Sequence, residues 1–149
     1  MRFSVDSNLL VYAIDVGAGP KHATAKDIMA RAALSDCILT VQCLAEFFYV
    51  TTRKGKLDAV ESASLVDRWR AVFPVHGADG DALAQAIGGV RRHSMSFWDA
   101  MLWATARRAS CRLLLTEDLH DGQTIDGVTF VNPFAPKNAT LLEAALPRP

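Results

Sequence analysis

Short apolar runs alternate along this chain with longer stretches of helical periodicity. Phe3-Ser4-Val5-Asp6 predicts a first strand over residues 2–6, and residues 8–14 a short helix after it. Gly17-Ala18-Gly19-Pro20 is a loop. Ala25, Ile28, Met29 and Ala32 recur at helical spacing and predict a helix over 21–34. Cys37-Ile38-Leu39-Thr40 is a second β-prone run. Thr40 is placed to cap a helix over 41–54, with Gly55 as its stop. A helix over 58–73 would turn Val60, Leu65, Val66, Trp69 and Phe73 to the core. Pro74-Val75-His76 predicts a short strand, and residues 81–92 a helix softened at Gly88-Gly89. Ser96 opens a helix to about Ala109 in which Trp98 is read as core. Residues 112–116 are a strongly apolar strand, and Asp121-Gly122 and Asp126-Gly127 mark turns. Val128–Val131 is a last strand, with Pro133, Pro136 and a short helix near 141–146 behind it.

Strands alternating with helices predict one α/β domain over residues 1–149. Its architecture is a three-layer α/β/α sandwich around a mainly parallel sheet of about five strands. In such sheets, sites form beyond the carboxyl ends of the strands. Asp6 and Asp118 each close an apolar run there. Glu46 and Asp99 sit in otherwise apolar helical stretches, Leu44-Ala45-Glu46-Phe47-Phe48 and Phe97-Trp98-Asp99-Ala100-Met101. Converging carboxylates repel one another, so a fold tolerates them mainly where a cation neutralises them.

Each acid has a plainer reading. Asp6 would cap the helix that follows it, although Ser7 and Asn8 are also available caps. Glu46 shares a polar helical stripe with Gln42, Tyr49 and Arg53. Asp99 stands three residues after Ser96, at a capping-box spacing. Asp118 is a loop acid with Glu117 and Asp121 as neighbours able to substitute for it. If Asp118 faces the site, strand alternation places Thr116 on the same side and Glu117 on the other.

Composition narrows the classes. Half of the 149 residues are apolar and 21% are charged, which suits a packed core and argues against disorder. No apolar run is long enough to span a bilayer and no signal-peptide pattern appears, so a cytoplasmic protein with no membrane partner is expected. Three cysteines without a CxxC pair argue against a disulfide framework or zinc site and for buried free thiols. The four scattered histidines form no metal-binding pair. The formal net charge is zero, which weighs mildly against nucleic acid, but Arg91-Arg92-His93, Arg107-Arg108 and Arg53-Lys54-Gly55-Lys56 are compact basic groups. These also fit as ordinary solvated helix ends.

The ordered set Val5-Asp6-Ser7-Asn8-Leu9-Leu10-Val11-Tyr12-Ala13, Leu44-Ala45-Glu46-Phe47, Ser96-Phe97-Trp98-Asp99-Ala100, Leu114-Leu115-Thr116-Glu117-Asp118-Leu119-His120-Asp121-Gly122 and Asn132-Pro133-Phe134 covers nearly the whole chain. It resembles a PIN-domain ribonuclease, and within that family a VapC-type toxin of a toxin–antitoxin pair. The resemblance implies a PIN-like fold and an acidic quartet at Asp6, Glu46, Asp99 and Asp118. It also implies a Thr-x-Asp pattern on Thr116 and Asp118, with a small polar residue at Ser7. Asp6, Asp99 and Asp118 would hold Mg²⁺ or Mn²⁺, and Glu46 would complete the set. The activity implied is metal-dependent endoribonucleolytic hydrolysis of RNA by a homodimer, restrained by a cognate antitoxin that covers the site. Arg91, Arg92, Arg107 and Arg108 are candidates for RNA backbone contacts.

The alternative is a non-catalytic RNA- or protein-binding module of the same fold. A haloacid-dehalogenase-like hydrolase is disfavoured because Asn8 stands where its second Asp belongs. A receiver domain is disfavoured because Asn132-Pro133 stands where its Lys belongs. No P-loop or dinucleotide fingerprint is present.

Overall fold

Six strands form one sheet in the computed structural model, which describes residues 1–54 and 56–148. They are β1 (Phe3–Val5), β2 (Cys37–Thr40), β3 (Val75–His76), β4 (Leu113–Leu115), β5 (Thr124–Ile125) and β6 (Val128–Val131). Their order is β3-β2-β1-β4-β6-β5. All neighbours are parallel except β5 and β6. The sequence predicts about five strands. The extra one, β5, precedes the Asp126-Gly127 turn, whose residues have φ of 46° and 84°. Both lie in the left-handed region that a two-residue hairpin of this kind requires, and Asp-Gly supplies it. Gly55, expected to stop a helix, lies outside the described residues.

Among the described residues, seven helices cover the sheet: α1 (Ser7–Ile14), α2 (Pro20–Ala32), α3 (Val41–Arg53), α4 (Ala59–Val72), α5 (Gly80–His93), α6 (Phe97–Arg108) and α7 (Ala139–Ala145). Single 3₁₀ turns stand at Val16–Ala18 and Pro136–Asn138. The first of these falls in the expected loop, and Pro20 takes the first helical position, where its missing N–H costs nothing. Thr40 caps α3 through its hydroxyl, as the sequence predicts. Among the described residues, no helix is long and apolar enough to cross a membrane.

Strand alternation divides the core. Phe3, Val5, Leu113 and Leu115 point to a layer completed by α1, α2, α3 and α7. Leu114, Val128 and Phe130 point to the opposite layer, with α5 and α6. Both faces are covered, so the central strands read as continuous apolar runs. Cys37, Cys43 and Cys111 are buried free thiols. Burial pushes the Cys43 thiol up to about 12, which leaves it inert as a nucleophile at neutral pH.

Two expected core residues are corrected. Val60 is 80% exposed. The inward stripe of α4 is Leu65, Val66 and Trp69, and Val60 lies on the opposite side at about 100° per residue. Trp98 is 63% exposed, whereas Trp103 on the same helix is fully buried and donates from Nε1 to the Ile125 carbonyl at 3.1 Å.

The glycine pair does not break α5. A Cβ on Gly89 would stand 3.0 Å from Trp103 Cζ3 and 3.2 Å from Met95 Sδ, so this residue lets α5 approach α6. A Cβ on Gly88 would first meet the Arg92 guanidinium, the far end of an exposed, flexible side chain. Gly89→Ala is therefore expected to destabilise by about 1–3 kcal/mol through overpacking. Gly88→Ala is expected to stabilise by up to about 1 kcal/mol through helix propensity. Urea unfolding midpoints of the two variants should move in opposite directions.

Candidate active site

The site begins where β1 ends. Asp6 leaves the strand, turns the chain into α1 and is only 6% exposed. Its Oδ1 accepts the Ser7 N–H at 2.6 Å, the capping role the sequence allowed. Its Oδ2 accepts the Thr116 hydroxyl at 2.9 Å across the β1–β4 boundary. Thr116, one residue past β4 and buried, also accepts the Asp118 N–H on Oγ1 at 3.1 Å. One threonine hydroxyl thus fixes the spacing between the first acid and the last.

Glu46 enters from α3. The Ser7 hydroxyl donates to its Oε2 at 2.8 Å and Gln42 Nε2 to its Oε1 at 2.9 Å. Gln42 Nε2 also donates to the Trp98 carbonyl at 2.9 Å, which ties α3 to the first turn of α6. That turn carries Asp99, whose Oδ2 accepts the Ser96 hydroxyl at 2.6 Å. Ser96 here supports the acid and makes no side-chain cap of its own. Asn8 Nδ2 donates to Asp118 Oδ2 at 2.7 Å. Below Trp98, Val41, Gln42, Glu46, Tyr49 and Met101 line an open groove of about 760 Å³ that continues from Glu46.

The electrostatics are uncompensated. Among the described residues, the ion pairs fall on other acids and none on Asp6, Glu46, Asp99 or Asp118. Burial pushes the Asp6 carboxyl up to about 6, against the hydrogen bonds from Thr116 and Ser7, and the charges of Asp118 and Glu46 push the same way. Asp118 is also held above the usual carboxylate range, first by partial loss of water and then by the charges of Glu117 and Asp99. Among the described residues, no three carboxylate, imidazole or thiol side chains stand within ligating reach of one point. Asp118 is exposed and Asp99 half-buried, and short carboxylates re-aim by rotation about two bonds. The donors are all oxygens and the charge at Asp6 lacks a counter-ion, so these residues fit a hard divalent cation.

Glu117 and Asp121 point away. Tyr12 and Lys21 hold Glu117. Asp121 accepts from the Asn132 N–H, from Asn138 and from Lys137. The candidate arginines separate into two pairs. Arg91 and Arg92 are exposed in the last turn of α5, which leads through Ser94 and Met95 into Ser96 at the acid end. Arg107 and Arg108 close α6, roughly 13 Å along the helix from Asp99. There Arg108 pairs with Asp79 at 3.0 Å and Asp81 at 3.6 Å, and Arg107 donates to Gln85 at 3.0 Å. Those two tie α5 to α6 at the far end and are displaced from the acids. Asn8 meets Asp118, and Tyr12 and Lys21 meet Glu117, with no site role evident from sequence alone. Asn8 stood two residues after Asp6, but nothing in the local pattern marks Tyr12 or Lys21.

The PIN domain family model matches residues 4–120. Among solved structures, the chain is similar to Mycobacterium tuberculosis VapC20, a sarcin-ricin loop cleaving toxin. The TM-score is 0.64 at 24% identity, covering 78% of this chain and 91% of that one. It is similar to a toxin-antitoxin complex from Klebsiella pneumoniae (TM-score 0.65, 18% identity, 88% of this chain and 97% of that one). It is also similar to VapBC-1 from nontypeable Haemophilus influenzae (TM-score 0.63, 14% identity, 91% and 100%). At these identities the likeness is one of fold. No curated protein sequence matches the chain.

Proposed function

The chain belongs to the PIN domain family, and on that footing we propose that it is a metal-dependent endoribonuclease, the toxin of a type II toxin–antitoxin pair. The observation that carries this reading is the uncompensated carboxylate cluster around the buried Asp6. Asp6, Asp99 and Asp118 would hold Mg²⁺ or Mn²⁺, which when bound supplies an acidified water and neutralises charge on the scissile phosphate. Glu46 completes the set from α3, with both of its oxygens held by Ser7 and Gln42. Thr116 keeps Asp6 and Asp118 in register. In-line cleavage in this family leaves a 5′-phosphate and a 3′-hydroxyl. Arg91 and Arg92, at the acid end, are the better-placed pair for RNA phosphates, and such contacts make binding weaken with salt.

The fold neighbours include a toxin-antitoxin complex and VapBC-1, which supports a small antitoxin as partner of this chain. A homodimer and a cytoplasmic location belong to the same reading. A non-catalytic RNA- or protein-binding module is the second reading, favoured by the lack of three acids around one point among the described residues.

Purified, partner-free protein incubated with total RNA separates the two. Cleavage with Mg²⁺ or Mn²⁺ that stops on adding EDTA is the expected result. Intact RNA with either metal, from folded protein, would move the assignment to the binding module.

A further inference from the structure

We propose that Tyr12, Lys21 and Glu117 form a clamp that aims Asp118 into the site and keeps Glu117 out of the ligand set. The inference rests on the metal-dependent reading and deepens it. Adjacent carboxylates at 117 and 118 are an ambiguity: either would serve an oxygen-seeking cation. The fold resolves it with one face of α1. Asn8 and Tyr12, one helical turn apart, reach the same loop. Asn8 takes Asp118 Oδ2 at 2.7 Å, and the Tyr12 hydroxyl donates to Glu117 Oε1.

Lys21, at the start of α2, completes the grip. Its Nζ donates to Glu117 Oε2 at 2.6 Å, so both oxygens of Glu117 are engaged. The ammonium also lies 5.1 Å from the Tyr12 ring centroid and 5.3 Å from that of Phe134. The two rings meet edge-on at 5.5 Å. The Glu117 side chain is 16% exposed and that of Lys21 43%, so the carboxylate is sheltered while the ammonium stays open to solvent. Further down the loop, the Thr116 N–H donates to the Val131 carbonyl at 3.0 Å and the Asp118 N–H to Thr116 Oγ1. Thr116 therefore turns to Asp6, Glu117 to Tyr12 and Lys21, and Asp118 to Asn8, and the anchor on Glu117 sets the other two. Tyr12 and Lys21 are positioning residues: they touch the acid that is excluded from the ligand set.

Tyr12→Phe removes the hydroxyl contact to Glu117, Lys21→Met removes the ammonium with its contacts to Glu117 and the two rings, both keep the packing stem, and Lys26→Met is the control lysine on the same helix. The measurements on the full chain are amide hydrogen exchange at Asp118, the Mn²⁺ dissociation constant from the spin resonance of free Mn²⁺, kcat and KM for RNA, and the melting temperature. Both clamp variants are expected to exchange faster at Asp118 and to bind Mn²⁺ about tenfold or more weakly, the cost typical of losing a partner outside the ligands. The loss should fall on kcat with KM for RNA unchanged. Melting temperatures should stay within about 4 °C of the parent, as for one exposed-side contact.

Mn²⁺ affinity equal to the parent's in both variants overturns the clamp, even if exchange at Asp118 is faster, because the contacts would then be packing alone. A parent that binds no Mn²⁺ and cleaves no RNA overturns the nuclease reading itself. A parent that does both, beside variants that match it, removes only the clamp.

Discussion

Asp6→Asn is expected to lower metal-dependent RNA cleavage by at least about a hundredfold, the upper end of what losing a mere supporting partner of a ligand costs. The fold should survive the change. Asparagine caps helices as well as aspartate does, and its carbonyl oxygen can still accept the Ser7 N–H. The Thr116 hydroxyl can rotate to meet the new amide. What disappears is one negative charge at the most buried point of the cluster. The variant should therefore melt higher than the parent when both are stripped of metal at neutral pH. Activity falling while stability rises is the signature of a residue kept for chemistry at the expense of folding. A folded variant cleaving RNA at the parental rate would remove Asp6 from the site.

Metal-free protein should gain stability as the pH is lowered from 7 to 5, opposite to the usual behaviour of paired carboxylates. Asp6 titrates near 3.8 in an unfolded chain and at about 6 in the fold, where burial disfavours its charge. Because the folded value is the higher one, the folded state binds the extra proton between the two values. The contribution is fully present below 3.8 and is lost as pH rises through 6. It amounts to on the order of 3 kcal/mol. Asp15, bonded to Lys56, and Asp79, bonded to the Ala82 N–H, are held below their ordinary range and act the other way. So do Asp121 and Glu143, and all four act at the acid end of the range, below the values their groups take in an unfolded chain, whereas Asp118 is raised and adds to the effect of Asp6. A cation that binds ionised Asp6 competes with the proton, so Mn²⁺ should raise stability at pH 7 and flatten the profile. Urea midpoints at pH 7 and pH 5, with EDTA or Mn²⁺ and with Asp6→Asn as control, measure this directly. Equal midpoints at the two pH values in EDTA would contradict it.

The acids were legible because each sits where a local pattern changes. Asp6 and Asp118 stop apolar runs, and Glu46 and Asp99 interrupt apolar helix faces. Thr116 followed from strand alternation, and the structure sets it on Asp6 as well as on Asp118. The clamp was not legible, because Tyr12 and Lys21 meet Glu117 across about a hundred residues and no periodicity records such a pairing. The separation of the arginines needed the antiparallel packing of α5 on α6, which sequence order alone does not reveal. β5 was missed for a different reason: two residues are too few to show alternation, although the turn after them was plain. The spacing of Leu65, Val66, Trp69 and Phe73 itself turns Val60 outward, so its exposure is written in the sequence.

The sheet ends at both sides in strands of two residues, Val75–His76 at one edge and Thr124–Ile125 at the other. An edge recruits another chain through its row of free amides and carbonyls, and rows this short offer almost no ladder to extend. Edges this short disfavour strand addition, by a second copy or by an extended peptide. That leaves the helices and loops as the larger surface for pairing, where side-chain fit and not backbone hydrogen bonding would select a partner. For a protein whose activity would need restraint by one particular companion, that is the more discriminating kind of surface.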